Sequence, residues 1–309
     1  MNAKGLFRGG LGLGLGVLAY SALFERNNFG IRYETVELLE PGAEPIRVLH
    51  LSDIHLAPWQ RSKIDWLKSL TNTKPDLVIV TGDTLGHREA FEESAAALAP
   101  LAGVPGVFVH GSNDYFAPRM PNPFTYLFHP SQPDLEQERI DTARLDEIYH
   151  GLGWICLDNE SATFLVKGTQ ITFTGTDDPH LGLDQPAKVS ASLDEVRAAN
   201  SGKGGLTIGV THAPYRRVLN LFSTLGCGII FSGHTHGGQV CLPGFGALTT
   251  NSDLPLRLAR GLNIWNHHEN HPFLNVSAGI GTSIYAPVRL ACPPEAVVVD
   301  LRAGDVGYA

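Results

Sequence analysis

The sequence predicts an α/β fold. Beyond Glu44, short β-rich apolar runs alternate with polar or helical stretches. Glycine accounts for 34 of the 309 residues and charged residues for only 17%. That is the composition of a compact, turn-rich chain rather than a disordered, coiled-coil or collagenous one. No internal repeat is visible, and a chain of this length buries roughly three quarters of its unfolded surface, enough for a stable core without disulfides. One α/β domain over residues 31–309 is the simplest reading.

Ile46 to Ser52 (IRVLHLS) reads as the first strand of this alternation. Ser62 to Asn72 carries Ile64, Leu67 and Leu70 at helical spacing, and Lys74-Pro75 stops that helix. Leu77 to Thr81 is a buried strand, His87 to Leu101 an alanine-rich helix, and Val104 to His110 another strand. Residues 115–136 carry Pro118, Pro121, Pro123, Pro130 and Pro133 and read as a long surface excursion. Its Phe116, Phe124, Tyr126, Leu127 and Phe128 are expected to wall a substrate site. A helix near Leu135 to Leu152 follows, then strands at Ser161 to Val166 and Gln170 to Gly175 joined by Lys167-Gly168. Further strands fit Leu206 to Val210, Gly228 to Phe231, Phe273 to Ser277 and Ala296 to Leu301.

Residues 1–30 read differently. Gly9 to Phe24 is an uncharged run of 16 between Lys4 and Arg8 on one side and Glu25 and Arg26 on the other. Its length falls between a signal-peptide core of about 7–15 residues and a spanning helix of about 20. The expectation is a single, uncleaved N-terminal membrane anchor, with a cleaved export signal or a buried N-terminal hairpin as the alternatives. Lys4, Arg8 and the α-amino group favour an extracytoplasmic domain. Acidic residues exceed basic ones, 31 against 23, which excludes nucleic-acid binding through a basic surface. Cys156, Cys227, Cys241 and Cys292 form no C-x-x-C and read as buried or idle thiols, with one or two disulfides as the alternative in an oxidising compartment.

The polar residues follow the strands. After IRVLHLS comes Asp53-Ile54-His55, after LVIVT Gly82-Asp83, and after VPGVFVH Gly111-Ser112-Asn113-Asp114. After LTIGV comes Thr211-His212, and after CGIIF comes Gly233-His234-Thr235-His236-Gly237-Gly238-Gln239. Ligand groups of α/β sheets gather at the carboxyl ends of strands. Each block alone has an ordinary explanation as a cap, a turn or a core histidine; five in succession argue for one site.

Two Asp, one amide and four His make a mixed nitrogen and oxygen donor set that suits Mn, Fe or Zn rather than Ca or Mg. D-x-H puts Asp53 and His55 on one side of an extended backbone, and H-x-H does the same for His234 and His236. The glycines beside H-x-H are expected to let backbone crowd close to substrate. Asp83 has two oxygens and can bridge two ions. Two metals ~3.5–4 Å apart clamp an in-line displacement at phosphorus and hold a hydroxide formed near neutral pH.

In these blocks the chain resembles the calcineurin-like metallophosphoesterases, whose pattern runs D-x-H, G-D, G-N-H-D/E, H and G-H-x-H. The resemblance covers residues 45–301 in order and spacing. It is strongest to a membrane-associated bacterial branch, through G-H-T-H-G-G-Q, the G-T-D-D-P-H stretch from Gly175 to His180 and the N-terminal apolar run. It implies a four-layer αββα sandwich of two mixed sheets flanked by helices. It also implies two divalent or trivalent ions, Mn, Fe or Zn. Asp53, His55 and His236 would hold the first, Asp83 would bridge, and His212, His234 and a residue of the G-S-N-D block would hold the second. The implied activity is hydrolysis of phosphate esters by a metal-bridging hydroxide, of diesters rather than monoesters. The expected substrate belongs to a membrane or envelope, with a lipid-linked ester as one form.

One block departs from the pattern. Ser112 occupies the position of the metal-binding amide and Asn113 that of the histidine that assists the leaving group. A hydroxyl is a poor ligand unless deprotonated, so Asn113 is expected to reach the second metal through a bulge-like shift at Gly111. Asp83, Asn113 and Asp114 form the expected catalytic set, Asp114 holding a neighbouring histidine or water. An amide cannot donate a proton as imidazolium does, which leaves water, His110 or His180 for the leaving group. The same departure motivates the alternative, a metal-binding protein of this fold without catalysis. Two ions outweigh their ligand carboxylates and hydroxide, so the core stands at about +1 and attracts phosphate despite the net charge of −8.

Other motifs fall away. Ser201-Gly202-Lys203-Gly204-Gly205 lacks P-loop spacing and reads as a turn. His267, His268 and His271 carry no H-E-x-x-H and read as a solvated loop, and no G-x-S-x-G supports a serine hydrolase.

Overall fold

Two six-stranded sheets stack face to face, each mixing parallel and antiparallel neighbours. The computed structural model describes residues 14–118, 137–200 and 205–304. The first sheet contains β1 (Gly30–Leu39), β2 (Ile46–Leu51), β3 (Leu77–Val80), β4 (Gly106–Phe108), β5 (Trp154–Cys156) and β14 (Glu295–Ala303), in the order β1-β14-β2-β3-β4-β5. The second contains β6 (Ser161–Val166), β7 (Thr169–Gly175), β8 (Leu206–Thr211), β9 (Ile229–Ser232), β12 (Gly261–Ile264) and β13 (Phe273–Val276), in the order β12-β13-β9-β8-β7-β6. A short antiparallel pair, β10 (Cys241–Leu242) and β11 (Gly246–Ala247), stands apart. β2, β3, β4 and β5 run parallel, as do β7, β8, β9 and β13.

Alternation along the strands builds the layers, because successive side chains point to opposite faces. Val48, Ile79 and Val107 meet Phe173, Ile208 and Phe231 between the sheets. Their neighbours Leu49, Val78 and Phe108 face outward instead. There they pack on Leu67 of α2 (Arg61–Ser69), Leu98 of α3 (Phe91–Leu98) and Leu145 of α5 (Thr142–Gly151). On the far side Ile230 and Leu274 pack on Val189 of α6 (Pro186–Ala199) and on Val218 and Phe222 of α7 (Arg216–Thr224). Among the described residues the remaining α-helices are α1 (residues 14–23) and the single turn α4 (Ser112–Tyr115). Each fully buried aliphatic or aromatic side chain contributes about 1.5–3 kcal/mol.

This is the α/β class expected, with helices outside two mixed sheets. Several elements were not anticipated. β1 is half-exposed, with only Val36 and Leu39 buried, and it pairs parallel with β14 at the other end of the chain. β5 is three residues long, and α6 and α7 fill stretches between strands where no helix was expected. The alanine-rich helix starts at Phe91 rather than His87, and passes into a 3₁₀ turn, Ala99–Leu101, at Pro100.

The N-terminal expectation is corrected. Among the described residues no helix is long and apolar enough to cross a membrane, so a single N-terminal anchor is not supported, nor is the placement of the domain that rested on it. Residues 14–23 are helical. The chain then docks on the domain: the Cys292 N–H donates to Glu25 Oε1 at 2.7 Å, and the Arg289 N–H to the Ser21 carbonyl at 3.2 Å. Gly9 to Leu13, the loop aromatics Phe124, Tyr126, Leu127 and Phe128, and Ser201 to Gly204 lie outside the described residues. All four cysteines are free thiols, three of them buried. His268, Glu269 and His271 are exposed, as a solvated loop requires.

Candidate metal centre

The carboxyl ends of β2 and β3 in one sheet meet those of β8 and β9 in the other. Asp53 and His55 follow β2, Asp83 follows β3, His212 follows β8, and His234 and His236 follow β9. All six side chains are buried. Five of the six lie in the left-handed region: Asp53 (φ 48°), His55 (φ 43°), Asp83 (φ 54°), His234 (φ 65°) and His236 (φ 48°). Such residues cost about 1–3 kcal/mol each and gather where function requires them. The extended D-x-H and H-x-H geometry expected from the sequence is therefore corrected: kinked backbone turns the paired side chains inward. The glycines also serve packing between protein segments. A Cβ on Gly233 would overlap Ser52 Oγ and Asp53 Oδ2, and one on Gly238 would press on Ala247.

The donor atoms form two groups. Asp53, His55 and His236 offer atoms all within 4.8 Å of one another, and so do Asp53, Asp83 and His212. In the first, His55 Nε2 lies 3.2 Å from His236 Nε2, and His236 Nε2 lies 3.7 Å from Asp53 Oδ1. Asp83 Oδ2 stands 3.4 Å from His55 Nε2, while its other oxygen, Oδ1, stands 3.7 Å from His212 Nε2. His212 Nε2 in turn lies 3.2 Å from His234 Nδ1. Donors about 2.1 Å from a shared ion stand roughly 3–4 Å apart, so this spacing fits metal ligation. The second nitrogens set the tautomers. His212 Nδ1 donates to the Thr81 carbonyl at 2.7 Å, and His234 Nε2 to the Asn251 carbonyl at 3.0 Å. Each bond leaves the inward-facing nitrogen free for a metal.

Burial sets the electrostatics. It pushes Asp53 up to about 6, with the Asp83 charge adding to the effect, and it pulls His55 down to about 4. His234 and His236 fall well below the ordinary histidine range for the same reason, which keeps them neutral as ligands must be. Burial also opposes charge on His212, but Asp83, Asp178 and Asp53 outweigh it and raise the imidazole to about 9. Asp83 stays below the ordinary carboxylate range: burial raises it, and His212, His55 and Asn113 more than compensate.

The G-S-N-D block opens α4, not a bulge, so Asn113 sits in a helical turn. Its backbone N–H and side-chain amide both donate to Asp83, and it reaches the centre through that carboxylate. Asp114 holds neither a histidine nor a metal ligand's side chain. Its carboxylate accepts the backbone N–H groups of Asp83 (2.7 Å), Thr84 (2.8 Å), Leu85 (3.2 Å) and Gly111 (3.0 Å), which makes it the clamp of the Gly82-Asp83 turn. His110 lies between Asp158 (2.6 Å from Nδ1) and Asp146 (3.2 Å from Nε2). His180 packs its ring 4.6 Å from that of His234 and bonds to the Tyr215 hydroxyl at 3.0 Å.

Sequence reasoning missed two supports. Arg289 is fully buried, and its Nη2 donates to the carbonyls of Ala278 (2.7 Å), Gly279 (3.1 Å) and Gly281 (2.7 Å) around His236. Lys63 donates to the carbonyls of Ile54 (2.8 Å) and His55 (3.2 Å). Neither had a local signal, since each acts on backbone distant in sequence or folded back by a turn.

Residues 46–238 match the calcineurin-like phosphoesterase family. The chain is 30% identical over 264 residues to "Uncharacterized protein YpbG" of Bacillus subtilis, covering 84% of this chain and 82% of that protein. It is 24% identical over 280 residues to "Uncharacterized metallophosphoesterase YkoQ" of the same organism, covering 87% and 90%. It is 27% identical to the bovine "Transmembrane protein with metallophosphoesterase domain" over 66% of this chain, but 43% of that protein. Among solved structures, a dimetal phosphatase from Danio rerio aligns with a TM-score of 0.43 at 11% identity, over 77% of this chain and 88% of that one. The family match spans the strand ends that carry Asp53, His55, Asp83, His212, His234 and His236, and the chain belongs to the calcineurin-like metallophosphoesterases.

Proposed function

We propose that this protein hydrolyses phosphate esters at a binuclear metal centre, diesters in preference to monoesters. The observation that carries the reading is Asp83, whose Oδ2 faces His55 and whose Oδ1 faces His212, so that one carboxylate joins two donor groups. Asp53, His55 and His236 with Asp83 Oδ2 would hold one ion, and Asp83 Oδ1 with His212 and His234 the other. When bound, two such ions supply Lewis acidity and a hydroxide nucleophile near neutral pH. The chain's own residues do the positioning: Asn113 and Asp114 fix the bridging carboxylate, while the Thr81 and Asn251 carbonyls aim two imidazoles inward.

The charge around the centre supports a diester. Asp53, Asp83 and Asp178 are buried beside it, and the buried cations Arg289 and Lys63 are bonded to backbone carbonyls. Such a surround suits the single negative charge of a phosphodiester better than the two of a monoester. The test is hydrolysis of an activated aryl phosphodiester against the matching monoester by the full chain with Mn, Fe, Zn or Co. The expected result is faster diester turnover, abolished by Asp83→Asn. Two bound ions without turnover of either ester would overturn the reading in favour of a non-catalytic metal-binding protein.

A further inference from the structure

We propose that Asp178 supplies the oxygen ligand that completes the second metal position, where the family pattern carries an amide. This rests on the binuclear reading above and adds a ligand to it. Asp178 lies three residues beyond β7, which runs parallel beside β8 with Gly175 opposite Val210. Its loop therefore leaves the sheet next to His212. The carboxylate is fully buried. Oδ1 accepts the His180 N–H at 2.8 Å, whereas Oδ2 is buried and accepts no hydrogen bond from any described residue. A buried charged oxygen with no donor is costly unless a cation faces it.

The surroundings say which cation. His180, whose N–H bonds to Asp178, packs its ring 4.6 Å from that of His234, so the Asp178 loop borders the second donor group. Asp83 and His212 both act electrostatically on Asp178. Ser112, which stands in the amide's place, lies near enough to Asp178 to favour its charged form. A serine and a carboxylate thus stand where the family pattern has one amide, and Asp178 ligates. Among oxygen donors a carboxylate is a far better ligand for Mn, Fe or Zn than a neutral hydroxyl. Asn113, the other candidate, has its amide nitrogen and its backbone N–H on Asp83.

The test is metal stoichiometry in the full-length chain, measured by elemental analysis after titration with Mn, with the spin-coupled Mn pair read by electron paramagnetic resonance. Wild type should bind two ions and show the coupled signal. Asp178→Asn, close to isosteric, should keep the first ion and bind the second at least about tenfold more weakly, losing the coupled signal. Asp178→Ala should hold one ion, while Asn113→Ala holds two. Two ions at wild-type affinity in both Asp178 variants would overturn the assignment and leave the binuclear reading standing. Fewer than two ions in wild type would overturn the binuclear reading, and this assignment with it.

Discussion

Asn113 holds both oxygens of Asp83: its backbone N–H donates to Oδ1 at 2.8 Å and its side-chain amide to Oδ2 at 2.7 Å. The Asp83 carboxylate is thereby held through both oxygens while the same oxygens face His55 and His212. Removing the side chain should loosen the bridge without removing a ligand. Asn113→Ala is expected to lower kcat on an activated aryl diester by about 10–100-fold while metal content stays at two. Steady-state kinetics beside elemental analysis checks this, and loss of an ion would make Asn113 a ligand.

Metal removal should destabilise the fold. The site gathers buried carboxylates and imidazoles and keeps five of its residues in left-handed backbone. An ion at a hundred times its Kd adds about 2.7 kcal/mol. At about 2–4 °C per kcal/mol for a large domain, chelation should lower Tm by about 5–10 °C. Scanning fluorimetry with Mn or with chelator reads the difference. An unchanged Tm would contradict metal binding by the native state.

Gly111 has ordinary extended backbone, so only space constrains it. A Cβ there would stand 2.7 Å from Cε1 and Nδ1 of His212 and would overlap Asp83 Oδ1. Gly111→Ala should fold with a loss of about 1–3 kcal/mol and fail to bind the second ion. Thermal melts and metal counts on the same sample decide it; two ions at wild-type affinity would show that the site yields.

His110 gives a pH signature. Burial disfavours its cation, but Asp146 and Asp158 outweigh burial and raise it well above the ordinary histidine value. A raised folded pKa means that its stabilisation is complete below about pH 6.5 and is lost as pH rises through the folded value. His110→Gln should cost about 1.5–3 kcal/mol at pH 6, with the gap to wild type narrowing at alkaline pH. Denaturant melts across pH measure it, and a gap that widens with pH would refute the ion network.

Local signals explain how far the sequence could be read. The buried strands β2, β3, β8 and β9 are short, mostly apolar runs, and each is followed by residues of the centre, so both the strands and Asp53, His55, Asp83, His212, His234 and His236 are written in adjacent letters. β1 escaped because a half-exposed edge strand carries no such run. α7 escaped although Val218, Leu219 and Phe222 are spaced for one helix face, since that stretch lacks a strong cap.

By itself the sequence determined the α/β class, the donor types and the five strand-end blocks, because an apolar run followed by a polar turn is a local property. Only the tertiary structure decided how those blocks meet. Stacking the two sheets places Asp83 between His55 and His212, and the α4 turn sends Asn113 to Asp83 rather than to a shifted ligand position. The parallel pairing of β7 with β8 brings the loop that carries Asp178 out of the sheet next to the one that carries His212. These relations join residues far apart in the chain through sheet register and packing, and no spacing along one strand encodes them.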